Sequence, residues 1–198
     1  MIFENLNIAL FNLINAQSSA SELTVKLAII LAEYVIYLVP VFLVATWLLE
    51  GRDKKEMALK AVSVALISLG IAQIVVAIYP HPRPFMMGIG RTLIAHAPDA
   101  SFPSDHVTLF SSIAITYLMG RYYTIGWILV VAGLLVAWSR VYLGVHFPFD
   151  MVGSILISGM VAIAIQPVWK KAGPSITKIV IKIHEKIFSA PIENGWIK

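Results

Sequence analysis

Hydrophobic positions in this chain come in long unbroken blocks, not in alternation. Five blocks are long enough to cross a bilayer as helices, which takes about 20 residues; they lie near 23–49, 58–79, 104–120, 122–141 and 149–169. Only Gly120 and Arg121 separate the third block from the fourth, which predicts a tight helical hairpin. The stretch from Pro80 to Pro103 breaks the pattern, being long and rich in Pro, His and Arg. Loops of that length in a compact domain are commonly functional. The two ends of the chain show a helical period instead. Residues 2–14 place Phe3, Leu6, Leu10 and Leu13 on one face and Asn5 and Asn12 on the other, which suits either an interfacial helix or an ordinarily packed one. Residues 175–188 place Ile176, Ile179, Val180, Ile183 and Ile187 on one face and Lys178, Lys182 and Lys186 on another. That is the pattern of a basic amphipathic helix on an anionic leaflet.

The fold class that follows is all-α: a polytopic membrane helix bundle of about five transmembrane helices, with interfacial amphipathic helices at both ends. The chain reads as a single domain, 1–198, with an interfacial helix over about 1–20, a transmembrane core over about 22–170 and a basic tail over about 172–198. Composition supports lipid as the solvent: 59% of residues are hydrophobic and 13% charged, where a soluble domain carries roughly 25% charged. Mean hydropathy is +0.82 and the sequence pI about 9.3. The formal charge of +4 reads as membrane anchoring, since no basic tract interleaved with aromatics suggests nucleic acid. There is no cysteine, hence no disulfide framework and no thiolate metal site. The N-terminus lacks the basic region of a cleaved signal peptide, and no internal repeat is present.

Arginine and lysine set the orientation. Arg52, Lys54, Lys55 and Lys60 flank the join between the first two blocks, Arg121 sits in the hairpin, and Lys170 and Lys171 follow the fifth block. These positions fall on one side, expected to be cytoplasmic. Four segment ends then meet on the outer side, and their polar residues gather there: Arg83, Ser104, His106, Arg140, His146 and Asp150. Arginine presents a planar fork of donors matched to phosphate oxygens, so Arg83 and Arg140 form a clamp for one phosphoryl group. Ser104 precedes the third block and reads as an N-cap, and a helix start with free N–H groups suits an anion. Pro148 fits the first position of the fifth helix, which places Asp150 in its first turn, within reach of His146. Such a bond fixes the imidazole tautomer and frees the other nitrogen for attack. His106, across the bound phosphate, would protonate the departing oxygen.

The stretches "HPRPF", "PSDH" and "SRVYLGVHFPFD" together resemble the three signature motifs of the type 2 phosphatidic acid phosphatase superfamily. Within it the chain is similar to the bacitracin-resistance type of undecaprenyl pyrophosphate phosphatase, over roughly residues 1–170. The resemblance implies hydrolysis of undecaprenyl pyrophosphate to the monophosphate by double displacement through a phosphohistidine, which recycles the cell-wall lipid carrier. It implies His146 as nucleophile, Asp150 as its partner and His106 as general acid. Arg83, Ser104 and Arg140 would hold the phosphate, assisted by backbone N–H groups near Asp105. No cofactor is implied, and the expected setting is the bacterial inner membrane with the active site facing outward. Another lipid phosphate, such as phosphatidylglycerophosphate, phosphatidate or diacylglycerol pyrophosphate, is the alternative substrate.

Two departures from the family pattern stand out. Asp105 replaces a glycine, and is expected to complement the helix dipole while pointing away from the phosphate or toward Arg83. Val76 occupies the place of a lysine seven residues before Arg83, so the phosphate charge is met either by fewer cations or by another residue such as His81 or Arg91. Glu33 lies deep in the first block, where an acid costs roughly 2.5–3.5 kcal/mol on insertion scales. A structural hydrogen bond, to Gln73 or a serine, and a contact with the headgroup or a proton route are both open for it. His96 is expected to be solvated. A zinc site is disfavoured because the flanking arginines repel a dication. A carrier or flippase would need its charges at the midplane, whereas here they cluster at one face.

Overall fold

The first apolar block starts at Ser21, whose Oγ accepts the Thr24 N–H at 3.1 Å and caps α2 (Glu22–Glu33). The block does not run to Leu49 as one helix. Pro40 has no N–H to donate, and its ring crowds the carbonyl of Ile36. The chain therefore tightens into a 3-10 turn, Val35–Tyr37, before α3 (Leu38–Leu49). The computed structural model describes residues 2–198, and among them every regular element is helical. Before this broken span lies α1 (Ile2–Ile14). After it come α4 (Arg52–Ile78), α5 (Asp105–Met119), α6 (Tyr123–Tyr142), α7 (Pro148–Ile187) and a short α8 (Ser189–Glu193).

Four segments are long and apolar enough to cross a membrane: Glu22–Leu49 taken across its break, Arg52–Ile78, Tyr123–Tyr142 and Pro148–Ile187. The third of the five expected spans, α5, falls short. Its 15 residues reach only about 22 Å. It tolerates this because it is the central helix, packed on α4, α6 and α7, with Val107, Phe110, Ile113, Ala114 and Tyr117 buried. Alanines on the facing side of α4, Ala61 and Ala65, let the helices approach closely. The broken first span covers the remaining side of α5 obliquely: α2 packs on α6, whereas α3 packs on α4.

The fifth span and the basic segment after it are one 40-residue helix, α7, with Pro167 and Pro174 inside it. The boundary expected at about 170–172 falls within this helix. Gln166 accepts from Lys60 Nζ of α4 at 2.7 Å, yet the ring of His184 stands 5.9 Å from Trp47 of α3. The distal part of α7 thus lies back over the end of the bundle that carries the α3–α4 turn. Lys198 N donates to Leu48 O at 2.8 Å at that same end. The basic positions expected on one side are therefore gathered at one end.

The opposite end is held by α1. Asn15 Nδ2 donates to Arg91 O at 2.9 Å and Tyr142 O at 3.1 Å, and Asn15 Oδ1 accepts from Arg91 N at 2.7 Å. Asn7 Oδ1 accepts from Phe149 N at 3.0 Å. Phe11 is fully buried, while Phe3, Leu6 and Leu13 point outward. Replacing Asn15 by Ala leaves Arg91 N and Arg91 O without a partner, while Tyr142 O keeps the Ala16 N–H, and should cost about 1–3 kcal/mol. This is measured as a lower thermal midpoint of the detergent-purified protein; an unchanged midpoint would show that the clasp does not hold α1.

Candidate active site

Four stretches of chain close around one cavity of about 250 Å³: the site-side end of α4, the 80–103 loop, the start of α5, and the α6–α7 junction. Arg83, Asp105, His106, Arg140 and His146 all line it, as does His96. Both histidines assigned to catalysis thus face one space.

The α6–α7 junction aims the first of them. Gly144 has φ +84, a left-handed conformation open to glycine, and the backbone of Arg91 lies where a side chain would begin. The turn closes with Val145 N donating to Arg140 O at 3.1 Å. Two residues on, His146 is 3% exposed and Asp150 1%. Asp150 Oδ2 accepts from His146 Nδ1 at 3.1 Å, from Phe147 N at 2.8 Å, and from Ser101 Oγ. A carboxylate on Nδ1 fixes the proton there and leaves the Nε2 lone pair free. Arg83 Nη1 stands 3.0 Å from that Nε2.

Arg83 is held from three further directions. Its Nε donates to Asp99 Oδ1 at 2.7 Å, Nη1 to Val145 O at 2.8 Å and Nη2 to Ala100 O at 3.0 Å. Burial works against the Asp99 charge, but the hydrogen bond and positive charge of Arg83 prevail and hold its carboxyl below the usual carboxylate range. Arg140 is the opposite case. It is 4% exposed on the last turn of α6, its guanidinium has no acceptor among the described residues, and its Nε is buried without a partner. Glu33 attracts it without a hydrogen bond.

A seam of hydroxyls ties α5 to α7 and so fixes His106 relative to His146. Ser154 Oγ accepts from Ser104 N at 2.9 Å and donates to Ser104 O at 3.0 Å; Ser158 Oγ donates to Thr108 O at 3.1 Å. Ser104 is the N-cap residue of α5, but its side chain makes no capping bond, and its Oγ is buried without a partner. The first N–H groups of α5 stay free for an anion. Asp105 does not contact Arg83: it accepts from Gln73 Nε2 at 3.2 Å at the cavity rim.

Neither replacement cation reaches the cavity. His81 stacks on Tyr79 at 5.7 Å and meets Glu4 Oε2 at 3.3 Å, behind Phe147. Arg91 is exposed and donates to Gln17 O. Gln73 bonds to Asp105, not to Glu33. Residues that the motifs do not contain complete the site: Ser101, Asp99, Ser154 and the wall histidine His96, whose ring is 6.3 Å from that of His146. One signal was present: Asp99 is the sole acid between Pro80 and Pro103, in a loop whose arginine needs a partner.

A family model described as the PAP2 superfamily matches residues 57–174, which hold all of these motifs. This chain belongs to the PAP2 superfamily. Among its relatives, YbjG of Escherichia coli (strain K12), provisionally named an undecaprenyl-diphosphatase, is 34% identical over the whole of both chains. Undecaprenyl-diphosphatase BcrC of Bacillus subtilis (strain 168) is 32% identical over 93% of this chain and 94% of its own. In three dimensions the crystal structure of Aquifex aeolicus LpxE matches with a TM-score of 0.65 and 25% identity, over 80% of this chain and 93% of that one.

In this PAP2 enzyme, burial pushes the His146 imidazole down to about 4, against the Asp150 hydrogen bond and with help from the charges of Arg83 and Arg140. A depressed histidine releases its proton early as pH rises, so Nε2 is unprotonated well below neutrality. The acid limb of kcat/KM for phosphate release reports the free enzyme. It is expected below the ordinary histidine value of about 6.5; a limb set by His146 above that value would contradict the burial argument. Arg83→Lys cannot reproduce a fork that bonds in four directions, and should lower kcat/KM by about 10²–10³-fold in the same assay.

Proposed function

We propose that this PAP2 enzyme hydrolyses undecaprenyl diphosphate to undecaprenyl phosphate and inorganic phosphate, on the outer face of the bacterial inner membrane, and so returns the lipid carrier to cell-wall synthesis. The observation that carries the reading is Arg140. A buried guanidinium without an acceptor is costly, and it faces the same cavity as His146. An anionic phosphoryl group supplies what Arg140 lacks. The names of the relatives supply the diphosphate, and the basic residues gathered at the far end support the outward-facing site.

The chemistry follows from the placement. The terminal phosphate enters between Arg83 and Arg140 and takes Arg83 Nη1 from Nε2, which frees the lone pair next to the phosphorus. Nε2 attacks, the bond to the bridging oxygen breaks, and His106 gives its proton to that oxygen. Undecaprenyl phosphate leaves a phosphohistidine behind. Water then attacks the phosphorus, His106 takes the water proton, and inorganic phosphate departs from a restored His146. Ser104 Oγ and the free N–H groups of α5 hold the phosphoryl oxygens through both steps. No metal takes part, so a chelator leaves the rate unchanged.

Detergent-purified protein is expected to release phosphate from undecaprenyl diphosphate faster than from phosphatidylglycerophosphate or phosphatidate. His146→Ala should lower turnover by about 10⁴-fold or more, and Asp150→Asn by about 10⁴-fold through the lost tautomer, with both variants still folded. Base-quenched reactions with labelled terminal phosphate should show a phosphoprotein that His146→Ala lacks. Near-normal release by His146→Ala would refute the nucleophile. Because the chain has no cysteine, Pro98→Cys tests the orientation: an impermeant maleimide should label it in intact cells.

A further inference from the structure

We infer that the isoprenoid tail of the substrate lies along a bare strip of α4 at Leu66, Gly70 and Gln73, and that the lipid enters the cavity sideways, between α2 and α4. This rests on the diphosphatase reading above. The strip exists because the broken first span changes partner. In the half of the bundle far from the site, Leu43 and Val44 of α3 share a cleft with Leu59 and Val62 of α4. In the half near the site the same span has crossed over to α6, and α2 has no comparable packing on α4. At 3.6 residues per turn, Leu66, Gly70 and Gln73 continue along the side of α4 that begins at Val62. Nothing replaces α3 there. Leu66 is 65% exposed, and a Cβ added to Gly70 would meet no atom within 4 Å.

Polarity separates this strip from an ordinary lipid-facing surface. Gln73 lies five residues before the end of α4 at Ile78, about 8 Å below it, and it is exposed together with its partner Asp105. A carboxamide and a carboxylate left against hydrocarbon at that depth would be expensive, and polar groups there are tolerated where they border an aqueous or substrate-bearing opening. Gln73 and Val76 also line the cavity that holds Arg140 and His106. The strip on α4 therefore runs directly into the wall of the phosphate pocket. A diphosphate can pass the polar rim formed by Gln73 and Asp105 while its tail stays in the bilayer, coming to rest on Leu66 and Gly70.

The test uses the absence of native cysteine. Gly70→Cys is folded and purified first, then alkylated with pyrenyl maleimide, so a folding defect cannot mimic a blocked route. Two probes are compared: undecaprenyl diphosphate, and geranyl diphosphate, which is short enough to enter from water. Before labelling, Gly70→Cys should be active on both probes, and its own unlabelled rates serve as the reference for the labelled protein. After labelling, kcat/KM for undecaprenyl diphosphate should fall at least about tenfold with geranyl diphosphate unchanged, a loss in the range of pocket-shape discrimination. Undecaprenyl phosphate should slow the alkylation. Equal losses on both probes, no loss at complete labelling, or an introduced thiol that cannot be alkylated would each overturn the route. If the unlabelled parent hydrolyses neither diphosphate, the diphosphatase reading fails instead, and protection of that thiol by undecaprenyl phosphate still decides whether lipid lies on the strip.

Discussion

The catalytic end of this protein is organised around one buried carboxylate oxygen. Asp150 Oδ2 takes donors from Ser101, His146 and Phe147, and a charge so enclosed is tolerable only because those donors converge on it. Each donor belongs to a different piece of structure. Ser101 belongs to the loop that carries Arg83, His146 faces the cavity, and the Phe147 N–H begins α7. One atom thereby sets the tautomer of the imidazole, the start of the longest helix and the lie of the loop over both.

The rest of the site is arranged by hydroxyls and small side chains instead of by hydrophobic bulk. Lipid offers helices little reason to associate, so close approach and interhelical hydrogen bonds carry that task. Ser154 and Ser158 on α7 meet Ser104 and the carbonyl of Thr108 on α5, and the two histidines proposed for catalysis sit at the starts of these same two helices. The distance between His146 and His106 is thus a packing distance between α5 and α7. Two arginines divide the electrostatic work. Arg83 is fully bonded and forms part of the wall, whereas Arg140 keeps its donors unspent.

Much of this was legible in the sequence, for identifiable reasons. Arg140, His146 and Asp150 lie within one turn-and-helix start, so their spacing alone placed them together, and the blocks of apolar residues placed α5 and α6 to within a few positions, though not the break in the first span or the far end of α7. Features that depend on contacts between distant segments were not legible. Asp99 reaches Arg83 and Ser101 reaches Asp150 across chain separations that leave no periodic trace. His81 is two residues from Arg83, yet closeness in sequence said nothing about direction, and its ring turns toward Tyr79 and Glu4. Pro40 was visible inside the first block, but the uniform apolarity around it hid the break. The shortness of α5 showed only once its neighbours were seen to shield it from the bilayer.

The clasp formed by α1 has a bearing on how the enzyme is assembled. Asn15 bonds to the carbonyl of Tyr142, and Asn7 to the N–H of Phe149. α1 must therefore wait for α6 and α7, which are made after it, before it can dock. Contacts that span so much of a chain close late and slowly. The loop that carries His146 acquires its backing only then, so the cavity is among the last features of the fold to close.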